Sequence, residues 1–173
     1  GLGDVYKRQH KDIIIVGAGI SGIAAAYNLQ KSCPEKSFAI LEGREALGGT
    51  WDLFKYPGVR SDSDMHTLGF RFKPWIHKRS IADGPSILKY LNETVDDFNL
   101  RDKISYNQKV ISSNWQSDKS IWELTVHDNG QEVSMTCNFL FLCGGYYSYD
   151  KPYMPDFPGQ EEFNGRIIHP QFW

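Results

Sequence analysis

The apolar run Ile13-Ile14-Ile15-Val16 ends on Gly17-Ala18-Gly19, the pattern of a short strand buried on both faces. Beyond it Ile20, Ile23, Ala24 and Tyr27 recur at helical spacing until Cys33-Pro34 stops the pattern. A second apolar run, Phe38 to Leu41, closes on Glu42. The order predicted is strand, turn, helix, strand. Another helix is predicted to open at Asp83-Gly84-Pro85, with Pro at the first helical position and Leu88, Leu91, Val95 and Phe98 as its buried stripe. From Gln108 the period changes to two. Val110 sits in a strand leading to Trp115, and Trp122, Leu124 and Val126 alternate with polar residues. After the hairpin signal Asp128-Asn129-Gly130, Val133, Met135, Cys137 and Phe139 alternate again. These segments predict an antiparallel meander with one buried face. Leu140 to Cys143 is continuously apolar, so the last strand is predicted to return to a parallel core.

The first turn reads G-x-G-x-x-G, and each glycine has a physical task. Gly17 permits the tight turn, Gly19 lets a pyrophosphate approach the backbone, and Gly22 lets helix and strand pack closely. The helix N-terminus supplies free N–H groups and partial positive charge. Glu42, 20 residues past Gly22, is placed to accept hydrogen bonds from a ribose diol. An ordinary βαβ corner would leave three glycines and Glu42 unexplained, so a dinucleotide site is expected. This unit alone does not separate FAD from NAD(P).

Composition adds boundaries more than direction. A chain of 173 residues suits one domain with a respectable core. A net charge of −2 gives no reason to expect nucleic acid or an anionic membrane as partner. Cys33, Cys137 and Cys143 are widely spaced with no C-x-x-C pair, which suits reduced, packed thiols in a cytoplasmic protein. No apolar run approaches 18 residues, so no transmembrane segment is expected. His66 and His77 have no metal-ligand partners at sensible spacing, and no metal is expected. Residues 1–9 have no pattern connecting them to the first strand and are expected to be a non-native arm. With the abrupt end at Trp173, the chain is expected to be an N-terminal fragment.

The segment Leu47 to Asp64 is glycine-rich and polar, too much so for a helix, yet carries the large rings of Trp51 and Tyr56. Pro57-Gly58 fits the centre of a type II turn. Long loops of this kind are usually functional or disordered, and the aromatics argue against disorder. Phe70 to Arg79 mixes basic and aromatic residues and reads as a solvated face or part of a nicotinamide-nucleotide entrance, in preference to a nucleic-acid surface.

Gly48-Gly49-Thr50-Trp51, Tyr56-Pro57-Gly58 and Asp62 together resemble the signature of flavin-dependent Baeyer–Villiger monooxygenases, and the run Gly48 to Trp75 is especially similar to the ethionamide-activating branch. Near the end, Phe163, Gly165, His169 and Trp173 fill F-x-G-x-x-x-H-x-x-x-W, which resembles the fingerprint of the same family. N-hydroxylating relatives tend to carry Tyr or Phe at the last position, so Trp173 favours the Baeyer–Villiger side. Cys143-Gly144-Gly145 departs from the usual Ala-Thr-Gly of two-domain flavoproteins but keeps small residues where the backbone must pass close to FAD.

The resemblance implies an α/β fold: a Rossmann-like FAD-binding βαβ domain with an inserted antiparallel β-meander, the N-terminal part of a flavoprotein with two dinucleotide-binding domains. Residues 10–145 would form an incomplete FAD-binding domain and residues 146–173 a linker carrying the fingerprint, with the NADP-binding domain absent. It implies an FAD- and NADPH-dependent oxidoreductase that uses molecular oxygen, through a peroxyflavin, on small-molecule ketones, sulfides or thioamides. The fragment alone would be inactive. Alternatives are an N-hydroxylating flavin monooxygenase or a non-catalytic FAD-binding fragment; a disulfide reductase would need a cysteine pair after Gly48-Gly49. By the resemblance, Gly17, Gly19, Ser21 and Gly22 cradle the FAD pyrophosphate and Glu42 binds ribose. Gly49, Thr50, Trp51, Asp52 and Leu53 line the flavin, and Val110 offers backbone contacts to adenine. Arg60 and Ser61 would meet the nicotinamide nucleotide, and Asp62 would be the active-site Asp that positions an Arg outside this chain. The fingerprint is thought to control movement between the cofactor domains.

Overall fold

The computed structural model describes residues 10–173; the expected non-native arm, 1–9, lies outside the described residues. The βαβ unit forms as the pattern predicts: β1 (His10–Val16), α1 (Ile20–Ser32) and β2 (Phe38–Leu41). Two one-turn helices follow, α2 (Thr50–Leu53) and α3 (Met65–Leu68), then α4 (Gly84–Asp97). The remaining strands are β3 (Ile104–Ser105), β4 (Gln108–Gln116), β5 (Ile121–Asp128) and β6 (Gln131–Leu142).

Among the described residues the six strands share one sheet, in the order β3-β2-β1-β6-β5-β4. It is parallel from β3 to β6 and antiparallel from β6 to β4. The long β6 makes the join. Its residues 131–137 pair with β5, and its residues 136–142 pair with β1 in the register Ile14↔Leu140 and Val16↔Leu142. The β5–β6 turn is the expected hairpin. Asn129 and Gly130 both have positive φ, at 48° and 86°, which is the type I′ turn that matches strand twist.

Alternation along β1 divides the core in two. Ile13 and Ile15 pack with Ile23, Ala26, Ile87, Leu91 and Val95 of the two long helices. Ile14 packs with Ala39, Leu41, Leu124, Val126 and Cys137, where the meander covers the opposite face. Burial on both faces is why the strand sequence shows no polar alternation. Phe139 departs from the expected buried face: it is 55 % exposed, because β6 has by then left β5 for β1. Leu142 is likewise exposed.

Two other expectations need correction. The buried face of α4 runs through Ile87, Tyr90, Leu91, Thr94 and Val95, while Leu88 and Phe98 are only half-buried. Tyr90 causes the rotation, since its hydroxyl accepts the Phe70 N–H and donates to the Lys73 carbonyl. Asp83 caps the helix by accepting from the Ser86 N–H at 2.8 Å, with Gly84 first and Pro85 second inside it. The Phe70–Arg79 segment is not simply a solvated face. Phe70 and Trp75 are buried, and Phe72 stacks on Tyr27 of α1. Its basic residues Arg71, Lys78 and Arg79 are left outside or at the margin. Among the described residues no helix is long and apolar enough to cross a membrane.

Candidate functional site

A crevice of about 750 Å³ opens at the C-terminal ends of β1, β2 and β6. The chain leaves β1 toward β2 on one side, and β6 lies on the other, so this is the switch point where parallel sheets take ligands. Gly17 turns the chain at φ +102°, and a Cβ there would stand 2.6 Å from the Cys143 carbonyl oxygen. Its N–H donates to the Leu41 carbonyl, which ties β1 to β2 at the mouth. Gly19 is different: a Cβ added there would meet only the Gly49 Cα, at 3.8 Å, and one on Gly49 would come 3.3 Å from the Gly19 Cα, so two glycine backbones pack against each other in the crevice wall. The N–H groups of Gly19, Ile20, Ser21 and Gly22 find no acceptor among the described residues. Free donors at a helix start, beside a crevice wall of bare glycine backbone, form a place for an anion.

Glu42 lies at the end of β2, 6 % exposed. One carboxylate oxygen accepts the Ala18 N–H at 2.8 Å and the other the Arg44 N–H at 2.9 Å. Each oxygen retains a lone pair for a hydroxyl donor. Arg44 then crosses to α2, with its Nη2 donating to Asp52 at 2.6 Å. Its guanidinium lies 5.7 Å from the Tyr149 ring centre, and its Nη1 is buried without a partner among the described residues. Burial, then the charge of Glu42, pushes the Tyr149 phenol up, against the pull of Arg44. Burial likewise pushes up the Cys143 thiol, whose N–H continues the pairing to the Val16 carbonyl.

Of the residues expected at the site, Gly17, Gly19, Ser21, Glu42, Gly49, Thr50, Trp51 and Val110 line this one crevice. Gly22 does not. It lies behind the turn, where a Cβ would come 1.9 Å from the Gly17 carbonyl oxygen, so its part is the close packing of helix on strand. Asp52 and Leu53 sit on α2 outside the lining, Asp52 acting through Arg44. The segment was expected to be non-helical; it makes one helical turn, with its Gly49 cap at φ +55°.

Arg60, Ser61 and Asp62 form a separate group. The Arg60 backbone forms an isolated antiparallel bridge with that of Asp83, and the buried Ser61 donates its N–H to the Ala82 carbonyl. Asp62 is exposed; after the Tyr146 hydroxyl and burial, its charge helps push the Tyr147 phenol up. In the fingerprint, Phe163 packs over Gly165, where a Cβ would stand 2.3 Å from the ring. His169 Nδ1 accepts the Gln171 N–H, capping the short turn Pro170–Phe172, and Trp173 is 65 % exposed. None of the four lines the crevice.

Three residues that pattern reading missed do line it: Arg44, Lys109 and Tyr149. Arg44 follows Glu42 by two positions, and that adjacency was the available signal. Lys109 neighbours Val110 and pairs with Asp150 at 2.8 Å. Nothing local marks Tyr149. Among the described residues, no group of three His, Cys, Asp or Glu side chains could hold a metal ion.

Comparison with known proteins joins these features. Residues 15–78 match the family described as NAD(P)-binding Rossmann-like domain, and residues 76–173, more than half of the chain, match Flavin-binding monooxygenase-like. The chain is 54 % identical over 165 residues to the FAD-containing monooxygenase EthA of Mycobacterium tuberculosis, covering 95 % of this chain and 34 % of that protein. It is 50 % identical to a probable FAD-binding monooxygenase, AlmA, of an Acinetobacter species, covering 94 % of this chain and 33 % of that one. Among solved structures, the open crystal structure of cyclohexanone monooxygenase superposes with a TM-score of 0.79 at 29 % identity, covering 95 % of this chain and 32 % of that one. An oxidized steroid monooxygenase bound to NADP gives 0.77 at 28 % identity, covering 95 % and 31 %. The chain thus spans about a third of the length of the curated relatives it matches.

Proposed function

The chain belongs to the flavin-binding monooxygenase-like family, and on that premise we propose that it is the FAD-binding N-terminal part of an NADPH- and oxygen-dependent monooxygenase. The observation that carries the reading is the crevice wall of Gly17, Gly19 and Gly49, bare of side chains, beside the N–H groups of Gly19, Ile20 and Ser21 that find no acceptor among the described residues. A pyrophosphate lying in the crevice can approach that bare backbone and those donors. Glu42 stands ready for a ribose diol, and Val110 lines the far side for the adenine end. Thr50 and Trp51 border the flavin end. Residues 10–145 form the FAD-binding domain, and 146–173 a linker that contains no strand or α-helix among the described residues.

FAD supplies the redox chemistry, reduced by NADPH and reoxidised by oxygen. The residues of this chain orient it and keep water from it. Arg60 and Ser61 meet the nicotinamide nucleotide. Asp62 orients an arginine supplied by sequence beyond this chain, holding that cation where negative charge develops. The substrates are small molecules carrying a ketone, sulfide or thioamide. Trp173 favours Baeyer–Villiger oxygen insertion over N-hydroxylation. The free thiols Cys33, Cys137 and Cys143 support a reducing, cytoplasmic setting.

The test is Gly19→Val in the full-length polypeptide. A branched side chain would press on Gly49 and intrude on the crevice, and the variant is expected to purify without flavin while the parent is yellow. Stoichiometric flavin in the variant would overturn the assignment.

A further inference from the structure

Near the chain's end, Pro170, Phe172 and Trp173 face solvent, yet Gln171 between them is 8 % exposed. Its side-chain amide nitrogen donates to two successive carbonyls, Ser148 at 2.9 Å and Tyr149 at 3.0 Å. A primary amide carries two N–H donors, so one side chain serves both acceptors. His169 fixes the same residue from behind by accepting its backbone N–H at 3.1 Å. Ser148 and Tyr149 lie outside any helix or strand, so no ladder fixes their backbone.

What is being held reaches the crevice. The Tyr149 hydroxyl lies 4.0 Å from the point where a Cβ on Gly49 would stand, and both residues line the crevice. The ring faces Arg44, which is paired with Asp52. A continuous set of contacts therefore runs from His169 through Gln171 and Tyr149 to Arg44 and Asp52.

We propose that Gln171 is a positioning residue for the FAD crevice, and that Tyr149, held by it, is a further residue in contact with the dinucleotide. The inference rests on the FAD reading above. Without Gln171 the strap at 148–149 would have to be ordered at the moment of binding, and that entropy would be charged to affinity. With Gln171 the strap is ordered in advance, and the phenol stands in the crevice lining as donor and acceptor. The fingerprint segment is in this way mechanically tied to a ligand it does not touch.

The experiment measures FAD release from the full-length flavin-loaded polypeptide, by recovery of free-flavin fluorescence after dilution. Gln171→Ala is expected to release FAD about tenfold faster, the effect of two neutral hydrogen bonds. Gln171→Glu, which sets a carboxylate against two carbonyls, should be faster still. Tyr149→Ala should also be faster, and the double variant Q171A/Y149A no faster than Tyr149→Ala alone. That non-additivity is what a merely structural glutamine would not produce. Parental release from Gln171→Ala or from Tyr149→Ala overturns the proposal, as does a double variant whose effects multiply. The Tyr149 arm stands even if substitutions at Gln171 prevent folding. A parent polypeptide holding no flavin overturns the FAD reading itself; a yellow parent with unchanged variants overturns only this one.

Discussion

Gly22 stands so close to Gly17 that a Cβ on the former would lie 1.9 Å from the carbonyl oxygen of the latter. Helix α1 rests on the turn through that contact. Gly22→Ala is therefore expected to destabilise the fold by about 1–3 kcal/mol, the cost of overpacking. Gly19→Ala, whose added methyl would meet the Gly49 Cα at an ordinary 3.8 Å, should melt as the parent does but bind FAD more weakly. Thermal melts with and without FAD separate the two. Equal melting of both variants without FAD would contradict the packing role of Gly22.

Arg44 and Asp52 form a half-buried pair, at 26 % and 13 % side-chain exposure. Asp52→Ala leaves the guanidinium short of a second acceptor besides the one Nη1 already lacks. A loss of about 1.5–3 kcal/mol is expected, typical for a hydrogen bond to a charged group. Removing both partners, as in R44M/D52A, should cost less than the sum of the single changes. Chemical denaturation of the four proteins measures the difference; strict additivity would mean the pair contributes nothing.

Asp62 predicts a separation of binding from chemistry. Asp62→Ala in the full-length polypeptide should keep its flavin, because the residue lies outside the crevice. Product formed per NADPH consumed should fall, with the oxygenation rate down roughly ten- to a hundredfold if one charge-assisted hydrogen bond is lost. Unchanged coupling would leave Asp62 as a turn residue only.

Burial pushes the Cys137 thiol from its ordinary 9.0 up to about 11. Here the folded state holds its proton more tightly than the unfolded state. Stability is thus fully present below pH 9 and declines as pH rises from 9 toward 11. The loss attributable to this thiol is on the order of 2 kcal/mol at the top of that window. Cys137→Ala removes it, so the variant's stability should fall less steeply over the window, whatever its starting value. Parallel pH profiles for variant and parent would refute the linkage.

The βαβ unit was legible because burial on both faces writes an unbroken apolar run, and because only glycine satisfies Gly17 and Gly22. Asn129-Gly130 was legible for the same local reason, two positive φ angles in succession. The face of α4 was misread because Tyr90 looks neutral in a hydropathy pattern, and its hydroxyl satisfies two backbone groups that no spacing rule sees. Phe139 alternates correctly yet stays exposed, since alternation says which side a residue takes and not what covers it. Most of the crevice lining came from local motifs. Tyr149 could not, because it meets Arg44 only after the sheet has brought β2 and the end of β6 together.

The position of β6 between β1 and β5 sets a timetable for synthesis. His10 and Thr136 stand opposite each other in neighbouring strands, 126 residues apart in the chain. At about 5–20 residues per second, a ribosome needs roughly 6–25 s to deliver the second after the first. β2 emerges early and can shield one edge of β1, but the other edge waits unpaired and apolar through that whole interval. Slower translation across residues 43–135 would lengthen that exposure of an apolar strand edge.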